Sequence, residues 1–208
     1  PLLNAGAHNP DTALALIESG NADFVMMGRA MIADPELPNK LLEGRREDVR
    51  PCLRCNEYCI GRIWNYHTKL SCAVNPQAME EVRFQIRKTD SPKNVVVIGG
   101  GPGGLEAARV AAIEGHKVTL FEKTGKLGGV MGTICTASFK SNIAALTKWF
   151  EVQLEKLGVD ARLNTEITGD EEILAECDRI IIGCGASPIT PPIPGIDGKN
   201  VVTILDSH

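Results

Sequence analysis

The strongest constraint in this 208-residue sequence is a β-branched run that stops abruptly on glycine. Asn94-Val95-Val96-Val97-Ile98 has the composition of a strand buried on both faces of a parallel sheet. Gly99-Gly100-Gly101-Pro102-Gly103-Gly104 follows without a gap. Leu105 to Gly115 then has the spacing of an Ala-rich helix, and Lys117 to Glu122 reads as a second strand ending on an acid. Strand, turn, helix and strand carry G-x-G-x-x-G at Gly99, Gly101 and Gly104, the pattern of a dinucleotide-binding unit. Gly99 permits the tight turn, Gly101 lets the backbone approach a pyrophosphate, and Gly104 lets the helix pack close to the strand. The helix N-terminus offers N–H donors and partial positive charge to phosphates. Glu122, ~20 residues beyond the turn, suits the two ribose hydroxyls of an adenosine and disfavours a 2′-phosphate there. A glycine-rich turn with no ligand is the plain alternative.

The rest of this half continues the pattern. Lys123 to Val130 (KTGKLGGV) holds a Gly128-Gly129 pair that reads either as a close approach to a dinucleotide or as an ordinary loop. Asn142 to Leu157 is an amphipathic helix with Ile143, Leu146, Phe150, Leu154 and Leu157 on one face, a core stripe. Val159 to Leu163 and Arg179 to Ile182 read as strands, the second running into Gly183-Cys184-Gly185. Pro191, Pro192 and Pro194 imply an extended crossing segment.

The other half divides differently. Pro1 to Gly6 and Asp23 to Met27 read as short buried strands, Asp11 to Gly20 as a helix, and a further helix is expected after Asp34-Pro35. Strand–helix pairs build a parallel sheet or barrel, but two cannot close one, so the chain reads as a piece of a longer protein. Residues 51–90 are irregular and contain Cys52, Cys55, Cys59 and Cys72, spaced C-x2-C-x3-C-x12-C. Three local cysteines and one remote suit an iron–sulfur cluster, whereas structural zinc favours two separated pairs. Zinc and unligated cysteines stay open. Cys135, Cys177 and Cys184 fall in apolar or Gly-rich settings and read as small core residues. Arg45, Arg46, Arg50, Arg54 and Arg62 flank the loop, either to stabilise thiolates or as a solvated charged surface. Thr89 to Pro92 marks the boundary to the dinucleotide unit.

Charge excludes one class of partner: 22 Lys and Arg against 26 Asp and Glu give a net charge of -4, without the basic excess of a nucleic-acid binder. No apolar run is long enough for a membrane span. Seven cysteines, an odd number, argue against a disulfide scaffold and for thiol or metal chemistry in a reducing, cytoplasmic setting.

These segments, in this order, resemble the iron–sulfur flavoenzymes of the 2,4-dienoyl-CoA reductase, enoate reductase and trimethylamine dehydrogenase group. PLLNAG and FVMMGRAMIADPELPNK look like the last two strands of its flavin barrel, CLRCNEYC…CAVNP like its cluster loop, the VVVIGGGPGG segment like its FAD or ADP fold, and IIGCGASPITPPIPGI like its later turn. The resemblance implies an α/β chain in three parts: residues 1–50 from the C-terminal end of a TIM barrel, 51–90 a cluster-binding segment, and 91–208 a Rossmann-like FAD domain that stops before an NAD(P)H domain. It implies FMN, a [4Fe-4S] cluster and FAD, with NAD(P)H as donor and an activated C=C bond as acceptor. By position, Cys52, Cys55, Cys59 and Cys72 match the cluster ligands. Gly28 and Arg29 match the FMN-phosphate turn, and Gly6 the preceding turn, where Ala7 replaces a frequent Arg. Gly99, Gly101, Pro102, Gly103, Gly104, Glu122, Lys123 and Gly129 match the FAD turn, ribose acid and following loop. Ile167 matches a backbone contact to adenine, and Gly185 the later turn, with Gly183-Cys184 in place of Ala-Thr. Substrate-reading and proton-donating residues belong to earlier barrel strands, so no residue here is a candidate general acid. The remaining barrel and NAD(P)H domains are expected on the same polypeptide, and a homo-oligomer stays open. An amine dehydrogenase whose fold holds ADP structurally, or a zinc and nucleotide binding module, are the competing readings.

Overall fold

The computed structural model describes residues 1–6, 8–135 and 137–202. They form two compact units that divide between Gln85 and Ile86. The division falls just ahead of Thr89 to Pro92, because Thr89 N–H donates to Glu114 O of the second unit at 2.8 Å. Residues 1–50 and 51–85 therefore fold together rather than as separate bodies.

In the first unit, β1 (Leu3–Ala5) and β2 (Phe24–Met26) form a parallel pair, with Ala5 opposite Met26. Between them, α1 (Pro10–Glu18) starts on a capping box: Asn9 Oδ1 accepts from Thr12 N–H at 2.8 Å, and Asn9 N–H donates to Thr12 Oγ1 at 3.0 Å. The strands form as expected, but they are not buried. Leu3, Phe24 and Met26 are each more than half exposed, because a two-stranded sheet has too few neighbours to cover its faces. The helices also differ from expectation. α2 (Gly28–Ala33) starts directly after β2, while Asp34 is extended and ends it. α3 (Leu37–Leu42) follows with Pro38, not Pro35, in its first turn. The cysteine segment is less irregular than its composition suggests, with a π-helical turn at Glu57–Gly61 and α4 (Arg62–Tyr66).

The second unit is a four-stranded parallel sheet in the order β5-β4-β3-β6. Its strands are β3 (Asn94–Ile98), β4 (Lys117–Phe121), β5 (Asp160–Arg162) and β6 (Arg179–Ile182). β3 is central, and Val95, Val96 and Val97 are buried as the β-branched run requires. α5 (Pro102–Ile113) crosses from β3 to β4, and α6 (Val130–Ile134) and α7 (Ser141–Lys156) precede β5. The short α8 (Glu172–Glu176) leads into β6. α5 and α7 form the layer on one face. Leu146, Phe150 and Leu154 of α7 are buried, joined by Trp149. Trp149 lies beneath the Arg109 guanidinium, 5.6 Å from its ring centre, and Arg109 is itself held bidentate by Glu106 at 2.8 Å. No described helix is long and apolar enough to cross a membrane.

Candidate functional site

The glycine turn of the second unit is shaped by close backbone approaches. Gly99 has φ +106°, which non-glycine residues rarely adopt, and a Cβ there would lie 2.4 Å from Gly183 O. A Cβ on Gly104 would lie 2.0 Å from Gly99 O, so the helix sits as near to the turn as backbone allows. Gly183 is the third member of this packing, since a Cβ there would lie 3.1 Å from Gly104 Cα. Gly101 and Gly103 differ: a Cβ on either would meet nothing within 4 Å, so this side of the turn faces open space. Gly101 is the N-cap of α5, Pro102 its first residue, and no side chain caps that end.

Glu122 closes the turn from β4. Its Oε2 accepts from Gly100 N–H at 2.7 Å, and Oε1 accepts from Thr124 N–H at 2.8 Å and Thr124 Oγ1 at 2.9 Å. Burial alone would raise its pKa. The N–H donors of Thr124 and Gly100, the Thr124 hydroxyl and the Lys123 charge outweigh it and hold the carboxyl below the usual range. Gly128 N–H donates to Gly100 O at 2.8 Å, which brings Gly129 against Gly101 Cα. The chain after β5 runs beside the acid, since Thr165 N–H donates to Glu122 O at 3.0 Å, and Ile167 lies half-buried two residues on. Lys123 is exposed. Gly185 has open space around it, so the glycine of the later turn that packs on the Gly99 turn is Gly183. Sequence reasoning missed Gly100, Thr124 and Gly183. The signal was local for the first two, and for Gly183 only the strand order brings β6 beside β3.

In the first unit, Cys52, Cys55, Cys59 and Cys72 line one small cavity, together with Arg29 and Val74. Arg54 and Asn56 are both left-handed at φ 58°, which bends the chain on either side of Cys55. Cys59 rides on the π-helical turn, and Ser71 N–H donates to Tyr58 O at 2.9 Å, which returns Cys72 to it. Burial pushes the Cys52 thiol up, as do the neighbouring Cys72 and Cys55, while the Arg54 N–H and the Arg29 charge act against that. Among the described residues, no three His, Cys, Asp or Glu side chains are grouped to hold a single metal ion.

A buried polar network pins both ends of this loop, and no spacing or motif announces it. Asp34 Oδ2 accepts from Arg50 N–H and from Lys40 Nζ, each at 2.7 Å. Arg50 Nη1 donates to Val74 O at 2.6 Å, and Asn75 Nδ2 donates to Ile32 O at 2.9 Å. Arg50 is thus buried scaffolding. Arg45 pairs with Glu43 and Asp48, Arg46 with Asp11, and Arg62 reaches Thr68 Oγ1 and Ser71 Oγ. Gly6 and Gly28 emerge at the same end of the β1–β2 pair, the C-terminal end of both strands. Ala7 lies outside the described residues.

The remaining cysteines correct an expectation, for none of them is core. Cys184 is exposed, and Cys135 and Cys177 are half-buried. Cys135 and Cys177 cap helix ends, where their thiols turn back to Gly132 O and Leu174 O. Cys177 lines a cleft on the sheet face opposite α5 and α7, with Val96 and Thr119.

A parallel sheet with an open glycine turn under an uncapped helix N-terminus is the nucleotide-binding half of a Rossmann-like fold. Residues 93–208 match the family model described as pyridine nucleotide-disulphide oxidoreductase, and the chain belongs to that family. Cinnamate reductase of Clostridium sporogenes is 43% identical over 200 residues, 95% of this chain and 30% of that protein. The structure of a 2-naphthoyl-CoA reductase superposes with a TM-score of 0.90 at 36% identity, covering 99% of this chain and 32% of that one. A 6-hydroxypseudooxynicotine amine oxidase from Pseudomonas geniculata superposes with a TM-score of 0.88 at 30% identity, over 100% of this chain and 34% of that one. These relatives bear out the resemblance to the enoate reductase and amine dehydrogenase group. The chain spans about a third of their length.

Proposed function

We propose that the chain is the electron-transfer portion of an NAD(P)H-dependent flavin and iron–sulfur oxidoreductase. The observation that carries the proposal is four cysteines around one cavity, in a chain that also carries an open glycine turn closed by a buried acid. Cys52, Cys55, Cys59 and Cys72 would hold a [4Fe-4S] cluster. Three local cysteines and one remote suit such a cluster, whereas structural zinc favours two separated pairs. Gly99, Gly101, Pro102, Gly103 and Gly104 would hold a pyrophosphate against the start of α5. Glu122 would take the adenosine ribose on the lone pairs its backbone donors leave free. Lys123, Gly129, Ile167 and Gly185 would complete the FAD site. Gly6, Gly28 and Arg29 would meet the phosphate of FMN at the C-terminal end of two barrel strands. With all groups bound, electrons would pass from NAD(P)H by way of FAD and the cluster to FMN, for reduction of an activated C=C bond. The residues of this chain hold and orient those groups. No side chain here is assigned a proton.

The substrate class in this proposal is an enoate or an unsaturated thioester, in keeping with the 43% identity to a cinnamate reductase. A cytoplasmic setting belongs to the same proposal, since thiolate ligands need reducing conditions. An anaerobic absorbance spectrum of the full chain, with iron, sulfide and flavin measured on one sample, tests it. The expected result is about four irons and four sulfides per chain, with FAD released on denaturation. Zinc without sulfide, or ADP without flavin, would replace electron transfer with a binding module.

A further inference from the structure

We propose that Arg29 is a cation shared by two sites, so that the turn after β2 tunes the reduction potential of a cluster held by Cys52, Cys55, Cys59 and Cys72. This role rests on the function proposed above and is one that phosphate binding does not require. A guanidinium serving only a phosphate at Gly28 would have no reason to face the thiols. Arg29 lines their cavity, is half-buried, and its Nη1 donates to Asn56 Oδ1. Asn56 is the left-handed residue between Cys55 and the π-helical turn that carries Cys59. The anchor of Arg29 is therefore set by the same backbone that sets the cysteines. Arg45, Arg46, Arg50, Arg54 and Arg62, which flank the cysteine loop in sequence, are absent from the lining of the cavity.

Reduction places one more negative charge inside the cavity, delivered as a single electron from the reductant with no bond formed or broken. A fixed cation at the edge stabilises that charge, and burial strengthens the effect. Local charge, hydrogen bonding and solvent exposure are the levers that set the potentials of such clusters. Arg29 supplies charge from a different element than the ligands, which ties the cluster to the turn beside it.

The test is an anaerobic dithionite titration, followed by electron paramagnetic resonance and absorbance, of the full chain reconstituted with iron and sulfide. Arg29→Gln is expected to lower the reduction equilibrium about tenfold, ~59 mV for one electron. Arg29→Lys keeps the charge and should recover most of the loss, which a merely structural role would not produce. Asn56→Gly keeps the backbone conformation but frees the guanidinium, and should shift the potential the same way by a smaller amount. An Arg29→Gln protein with full iron and the wild-type potential overturns the proposal, as does Arg29→Lys falling as low as Arg29→Gln. Should Arg29→Gln lose its iron, an unshifted Asn56→Gly overturns it instead. A wild-type chain that takes up no iron and sulfide overturns the function reading itself, and this proposal with it.

Discussion

Glu122 is held from three directions within its own unit, and this makes its charge a structural quantity as well as a binding one. A carboxyl whose folded pKa is depressed adds stability that is complete above the unfolded value, about 4.3, and is lost as pH falls through the lower folded value. Glu122→Gln keeps one acceptor and loses the charge. It should cost about 1–2 kcal/mol at neutral pH and flatten the acid limb of stability. Urea unfolding followed from neutral to acid pH measures both, and equal pH slopes in the two proteins would refute the assignment. The glycines of the turn separate fold from ligand in the same way. Gly104→Ala drives a Cβ into Gly99 O and should cost about 3 kcal/mol or more. Gly101→Ala meets nothing and has an ordinary φ of -76°, so the melting temperature should hold while FAD retention falls. A Gly101→Ala protein that keeps its flavin would remove Gly101 from the site.

Elements show which parts of the fold were legible and why. β3, the turn, α5 and β4 are contiguous, so each was readable from neighbouring residues. The stripe on α7 was readable by its period, but Trp149 was not, because the guanidinium it packs against, Arg109, belongs to another helix. Asp34, Arg50 and Asn75 were invisible as a set. Asp34 reaches Arg50 across 16 residues and Asn75 reaches Ile32 across 43, distances at which no spacing rule acts. The four cysteines were legible by spacing, whereas Arg29 in their cavity was not, since it arrives from α2. Cys177 was misread because an apolar neighbourhood in sequence became a helix end beside an open cleft. The network carries its own prediction. Asp34→Ala leaves the Lys40 ammonium and the Arg50 N–H without their carboxylate, which should destabilise the first unit by about 3–5 kcal/mol. Iron uptake should fall with it, because Arg50 sits next to Pro51 and Cys52 at one end of the loop and bonds Val74 at the other. Denaturant unfolding and iron content, measured together, check this. Lost stability with full iron uptake would show that the loop keeps its shape without the network.

At the scale of the whole molecule the two units differ in how much apolar surface they cover. The second buries its central strand on both faces, whereas the first presents Leu2, Leu3, Phe24 and Met26 around a sheet of only two strands. Open strand edges and contiguous apolar side chains promote association between chains. Lysine at these positions opposes that association by charge, and at exposed sites it should change folding stability by no more than ~0.5 kcal/mol. Leu3→Lys with Phe24→Lys should therefore lower light scattering and dye binding at high protein concentration. The unfolding midpoint should stay where it is, since Leu3 is 53% and Phe24 59% exposed. The control is Val97→Lys in the second unit, a fully buried β3 position where the same substitution should abolish folding. If the double variant instead unfolds about 2 kcal/mol more easily, both side chains are covered in the folded protein. Sedimentation of the wild type then separates a second copy, seen as a dimer that the double variant lacks, from cover by further barrel strands of the same polypeptide.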